Sequence, residues 1–219
     1  MSCKDIKRNN GSGEYWIHPT SNGAPLKVFC DMTTDGGGWL LVSKVVMQDS
    51  TPPTQAPLKT SYRGIASSHM LLTKTAIKEL RTHINFAQLR FHCKKKKPGR
   101  TFHIITAANS SGEAVVQYLC GHTDDKPHSC GSFVKMDDDD STLAKNCDRW
   151  GKENGKVKVT IGKWGFQNLA EDRLYNHTVF IAAAQQWLLG YNGTFQGRFE
   201  CDDYFEGLSA GDFWKIYVR

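Results

Sequence analysis

Residues 3–42 read CKDIKRNNGSGEYWIHPTSNGAPLKVFCDMTTDGGGWLLV, and the fold assignment turns on this stretch. Tyr15, Trp16 and Ile17 form a short strand pattern, interrupted at Pro19, Asn22 and Gly23, which mark a turn. Leu26, Val28 and Cys30 alternate with Lys27 and Phe29, the period of a second strand. Asp35 and the glycines 36, 37 and 38 then bend the chain before Trp39, Leu40, Leu41 and Val42 resume an apolar strand. A Cys3–Cys30 bridge would clip this hairpin. Closing a loop of about 28 residues contributes about 3–4 kcal/mol through the unfolded state.

The stretch C-x-x-I, SGEYWIHP and VFCDMTTDGGGWLLV resembles the opening of fibrinogen-related domains, the module shared by fibrinogen C-termini, ficolins and tachylectins. Intelectins share the VFCDM…GGGW portion. The resemblance covers about the first fifth of the chain and is carried by Cys, Trp, Asp and Gly at fixed spacing. It implies an α+β fold: a small disulfide-clipped N-terminal sheet, then a larger, mainly antiparallel sheet with a few helices. On this reading residues 1–46 are a fibrinogen-like subdomain. Residues 47–219 are a divergent α+β part packed on it.

A chain of 219 residues buries a sizeable core, and 39% hydrophobic with 23% charged residues is ordinary globular composition. No apolar run reaches the ~18 residues of a membrane span, since Val179–Leu189 is broken by Gln185 and Gln186. Seven cysteines and four sequons, at Asn10, Asn109, Asn176 and Asn192, join the fibrinogen-like opening in pointing to an extracellular setting. No signal peptide follows Met1, so the expectation is a mature piece of a longer precursor. An odd cysteine count leaves a thiol free or bonded to another chain, and so leaves a homo-oligomer open. No nucleic-acid partner is expected.

Beyond the opening, residues 49–63 read as a Pro-rich surface loop. Ser67 to Ile84 reads as a helix burying Ala76, Ile77, Leu80 and Ile84, capped by Ser67 or Ser68. Leu89–Cys93 and Phe102–Thr106 form a hairpin whose tip carries Lys94, Lys95, Lys96, Lys97 and Arg100. Those cations are either a solvated loop that discourages edge pairing or a contact for an anionic glycan, phosphate or lipid. Ala114–Leu119 reads as a strand, Thr178–Leu189 as strand or helix, and Phe213–Val218 as a final strand near the core. Val157, Val159 and Ile161 alternate as another strand.

The loop CGHTDDKPHSC places His122 and His128 between Cys120 and Cys130. Two thiols and two imidazoles can hold zinc, but an oxidising compartment favours a Cys120–Cys130 disulfide. The block MDDDDSTLAKNC resembles the calcium loop that precedes Asn-Cys in fibrinogen-related domains. The resemblance implies calcium at Asp138 and Asp140, against a plain acidic turn. It also implies that Cys147, the Asn-Cys cysteine, bonds downstream to Cys201, leaving Cys93 as the spare thiol. Asp202 and Asp203, beside Tyr204 and Phe205, either cap a turn or meet calcium or sugar hydroxyls.

KKKPGRTFHI and ECDDY resemble uncharacterised secreted proteins of cnidarians, including skeletal matrix proteins. Gly207-Leu-Ser-Ala-Gly211 matches a nucleophile elbow, but no histidine follows His177, so catalysis is rejected. Three roles remain: a lectin-like or adhesive module for glycan or protein, a matrix protein meeting calcium or mineral, and a secreted receptor ligand.

Overall fold

The computed structural model describes residues 1–7, 10–21, 23–151, 153–154, 157–158, 161–166, 170–191 and 193–219. The opening hairpin is β1 (Gly13–Ile17) paired with β2 (Leu26–Asp31), followed by β3 (Trp39–Val46). After helix α1 (Lys74–Ile84) come β4 (Leu89–Lys94), β5 (Thr101–Thr106), helix α2 (Ser110–Leu119) and β6 (Phe133–Lys135). The chain then forms β7 (Asn176–Ile181), β8 (Gln185–Leu189) and β9 (Phe199–Asp203), and ends in β10 (Phe213–Val218).

The fold is α+β, with mainly antiparallel sheets and few helices. One sheet has seven strands in the order β1-β2-β3-β10-β4-β5-β6. The C-terminal strand therefore lies between the third strand of the opening and the hairpin that carries the lysines. The opening strands are not a sheet of their own: they continue into the large one. A second, three-stranded sheet runs β7-β8-β9. Aromatic rings fill the space between the sheets. Phe91 of β4 meets Trp187 of β8 edge-on at 5.3 Å and lies 5.9 Å from Trp164, itself 5.0 Å from Trp150. All four rings are almost fully buried. Edge-to-face pairs of this kind contribute about 0.5–1.5 kcal/mol beyond burial.

The CDMTTDGGGW motif has a physical account. Asp31 Oδ1 accepts the Thr33 and Thr34 amides (3.0 and 3.1 Å), and Oδ2 accepts the Thr34 hydroxyl (2.7 Å). Oδ2 also meets the buried Arg90 guanidinium of β4 at 2.7 Å. That guanidinium lies 3.8 Å from the Tyr217 ring centre and 5.0 Å from that of Trp39. Burial pushes the Asp31 carboxyl up, but the Thr34 and Arg90 hydrogen bonds outweigh it and hold the group far below the usual carboxylate range. Gly37 has φ +75°, and a Cβ there would stand 2.3 Å from the Met32 carbonyl oxygen. Gly37→Ala should therefore cost at least about 2 kcal/mol, read as a fall in the urea midpoint at unchanged slope.

Three local readings change. Helix α1 starts at Lys74, capped by Thr73 rather than Ser67 or Ser68, because Thr73 accepts the Ala76 amide (3.2 Å) while Leu71 and Leu72 are extended in a two-residue strand. Its inner face of Ala76, Ile77 and Leu80 is as expected. Ala114–Leu119 is helical, not a strand. Asn109 accepts the Gly112 amide (3.0 Å) as N-cap, Glu113 sits in the first turn, and Val115, Val116 and Leu119 share the buried side. Thr178–Leu189 is two antiparallel strands, β7 turning into β8. Of the strand expected at Val157, Val159 and Ile161, Val159 lies outside the described residues.

The cysteine pairing also changes. The bridges are Cys3–Cys30, Cys93–Cys201 and Cys130–Cys147, and Cys120 is a buried free thiol. A Cys120–Cys130 bridge does not form because Cys120 ends α2 on its core side, where burial raises its pKa to about 12. Cys147 does not reach Cys201, since the 3-10 turn Cys147–Arg149 sits against the loop of Cys130 instead. Cys93 is not spare: its strand face looks at β9, and the bridge staples the two sheets.

Candidate functional site

Three clusters carry chemistry. The first is the lysine-rich tip, which is not a uniform patch. Lys94, Lys96 and Lys97 are exposed, but Lys95 is 1% exposed and its ammonium pairs with the buried Asp203 carboxylate. Lys95 Nζ also donates to the Phe199 carbonyl (2.9 Å). Arg100 pairs with buried Asp202, whose carboxylate further accepts the Thr142 and Leu143 amides (2.9 and 2.7 Å). Burial pushes the Asp203 carboxyl up, and the Lys95 ammonium pulls against it. Two of the five tip cations are thus internal counter-ions, and Asp202 and Asp203 are committed to them rather than offered to calcium or sugar.

The second is the acidic block. Asp137 is exposed. Asp138 Oδ1 lies 2.6 Å from His103 Nδ1. Asp139 accepts the His103 amide (2.7 Å) and Asp140 the Thr101 amide (2.6 Å), so these two carboxylates tie the block to β5. Calcium takes six to eight oxygens. Asp138 and Asp140 have different partners: Asp138 Oδ1 faces the His103 imidazole, and Asp140 Oδ1 accepts the Thr101 amide. Among the described residues the one group of three converging metal donors is His92, His103 and Asp138. It contains neither Asp140 nor the Cys120, His122, His128 and Cys130 of the zinc alternative, whose Cys130 is in a bridge.

The third cluster is a cavity of about 170 Å³ on the three-stranded sheet, which the local motifs did not reveal. Phe166, His177, Phe180, Gln186, Phe195, Arg198 and Tyr204 line it. The His177 ring stands at 4.4 Å from Phe195 and 5.3 Å from Phe180, near edge-on to both. Arg198 donates to Glu200 Oε1 (2.8 Å) and Gln186 Oε1 (3.2 Å), and its guanidinium lies 4.9 Å from the Tyr204 ring centre and 4.2 Å from that of Phe205. Tyr204, 39% exposed, is the solvent-facing ring of the lining, beside the buried polar side chains of His177 and Gln186. His177 and Ala183 hold φ of +50° without being glycine. Such backbone costs about 1–3 kcal/mol per residue and concentrates at ligand sites.

Burial, then the Arg198 charge, lowers the His177 pKa to about 4. The unfolded imidazole takes its proton near pH 6.5. Between these values the unfolded chain binds a proton that the folded one refuses, so stability falls as pH falls, by up to about 1.4 kcal/mol per pH unit. The His177 ring resonances should titrate with a midpoint near 4. A midpoint above 6 would mean that the ring is not enclosed as described.

The sequons are placed unevenly. Asn10 and Asn109 are exposed, Asn176 is half-buried with its Nδ2 donating to Asp172 (2.7 Å), and Asn192 lies outside the described residues. No helix is long and apolar enough to cross a membrane among the described residues.

The hairpin clipped by Cys3–Cys30 and the glycine turn organised by Asp31 form the part of the chain that known proteins share. Residues 1–52 match the family of the fibrinogen beta and gamma chains, C-terminal globular domain. The opening is 60% identical to mouse angiopoietin-4 over 44 residues, 19% of this chain and 9% of that relative. It is 50% identical to the fibrinogen beta chain of Petromyzon marinus over 48 residues, 21% of this chain and 10% of that one. The aligned stretch thus spans about a tenth of these relatives' length. The solved fibrinogen-like globe domain of human ANGPTL2 aligns over 96% of this chain and 93% of its own, at 12% identity and a TM-score of 0.40.

Proposed function

We propose that this chain is an extracellular, non-catalytic recognition module that binds glycan or protein on cell or matrix surfaces through the cavity on its three-stranded sheet. The observation that carries this reading is the cavity itself, where exposed Tyr204 and half-buried Phe195 stand beside neutral His177, Gln186 and paired Arg198. Aromatic faces with a few oriented polar groups suit a small polar ligand or the tip of a larger one. Three disulfides and the fibrinogen-related opening support an oxidising, extracellular setting. The lysine tip supports a receptor-docking role less well, because Lys95 and Arg100 hold buried carboxylates.

An immobilised glycan array and a cell-surface binding assay, both run with the purified domain, test the proposal. A discrete set of glycans is the expected result. A silent array with retained, protease-sensitive cell binding would assign the site to a protein ligand. Silence in both assays would remove the recognition role.

A further inference from the structure

His92 and His103 stand directly opposite each other on β4 and β5, so their side chains leave the same face of the sheet. Their rings stack at 3.9 Å with an interplanar angle of 8°. The turn after β6 brings Asp138 over the pair, fixed by the Met136 amide on the His103 carbonyl (2.9 Å) and by Asp139 on the His103 amide. Asp138 Oδ1 is 2.6 Å from His103 Nδ1, and Oδ2 is 3.8 Å from His92 Nε2. One donor atom from each of the three residues lies within 4.8 Å of the others. Asp138 is 57% exposed at its side chain, so the cluster opens to solvent. We propose that His92, His103 and Asp138 bind a divalent first-row transition ion of the zinc and copper class.

The donor set selects the ion. Imidazole suits zinc, copper and nickel, whereas calcium wants oxygen alone. A tetrahedral ion with ligands at about 2.0–2.1 Å has donor–donor edges of about 3.4 Å, so the two rings, whose lone pairs lie in the ring planes, must tilt out of their parallel stack to meet one ion. Among the described residues His103 Nε2 has no hydrogen-bond partner, so only its Nδ1 contact with Asp138 must be exchanged for the ion. The nearby cations oppose the site only in part. Arg90 is already paired with Asp31, leaving Lys215, which faces His92 across the strand pair, as the main repulsive charge. Three protein donors leave a fourth position for water or a partner's group.

Calorimetric titration of the whole purified domain with zinc chloride, and separately with calcium chloride, tests this. One zinc per chain is expected, with calcium silent. His92→Gln and Asp138→Asn should each weaken zinc binding by about tenfold or more. Asp138→Asn alters an exposed side chain, so it keeps the test valid if His92→Gln proves unstable by circular dichroism. With copper(II) in place of zinc, nitrogen hyperfine splitting should report two imidazoles in the wild type and one in His92→Gln. No zinc uptake by the folded domain would overturn the site, as would unchanged affinity in both variants, which would place any zinc on other surface histidines. Calcium binding that Asp138→Asn removes would overturn the choice of ion.

Discussion

Replacing Cys93 and Cys201 together by serine should lower stability by about 4–5 kcal/mol, the value for a closed loop of about 100 residues. Their bridge spans 108 residues, against 17 for Cys130–Cys147, where the same model gives about 3 kcal/mol. For a domain of this size the loss corresponds to a melting temperature lower by about 10–20 °C. The mechanical reason is the position of the bridge. Cys93 sits on the strand next to β10 in the large sheet, and Cys201 sits on β9 of the small one. Without the bridge the cavity-bearing sheet is held by ring packing, the Lys95–Asp203 and Arg100–Asp202 pairs and the Trp214 indole on the Glu200 carbonyl (2.9 Å). Thermal unfolding of the double variant beside Cys130→Ser/Cys147→Ser checks the ranking. A larger loss from the shorter loop would contradict it.

Asp31→Ala should cost about 3–5 kcal/mol, because it strands the Arg90 guanidinium in the core without a counter-charge. Arg90 is 1% exposed, and its Nε and Nη1 already lack hydrogen-bond partners among the described residues. The substitution also removes the acceptor for the Thr33 and Thr34 amides, which shape the glycine turn. The pH dependence has a definite sign. A carboxyl whose pKa is held down in the folded state adds stability that is complete above its unfolded value of about 3.9 and is lost as pH falls below it. Wild type should therefore lose stability through this group between about pH 4 and pH 2, and Asp31→Ala should lack that part of the slope. Urea midpoints measured across that range provide the check. Equal slopes in the two proteins would remove Asp31 as the anchor.

The opening was legible because its information is local. Period-two alternation at Leu26–Cys30, turn residues before it and a glycine run after it each have one physical reading, and together they fix the hairpin. The last strand was legible for the same reason, but its place between β3 and β4 was not, since register across 170 residues leaves no local trace. Cysteine pairing leaves no local trace for the same reason: Cys93 and Cys201 meet only once both sheets exist. Ala114–Leu119 misled because Val115, Val116 and Tyr118 favour strands individually. The overriding signal was upstream, in Asn109 as cap and in Val115, Val116 and Leu119 at helical spacing. The lysine tip is opaque in sequence because a run of charge suggests exposure, while Lys95 and Arg100 have carboxylate partners about a hundred residues away. The cavity was invisible for a different reason. Its lining comes from residues 166 to 204, and the positive φ of His177 and Ala183 is a consequence of packing, not of residue type.

Binding of two variants to whichever surface the wild-type domain recognises tests the functional account most directly. Phe195→Ser/Tyr204→Ser alters the rim and wall of the cavity, and Lys96→Glu/Lys97→Glu reverses the exposed charge of the tip without touching Lys95 or Arg100. The account predicts that the first abolishes binding and the second leaves it within about twofold, as for surface changes away from a site. Binding that survives the cavity variant but is lost on charge reversal would contradict it.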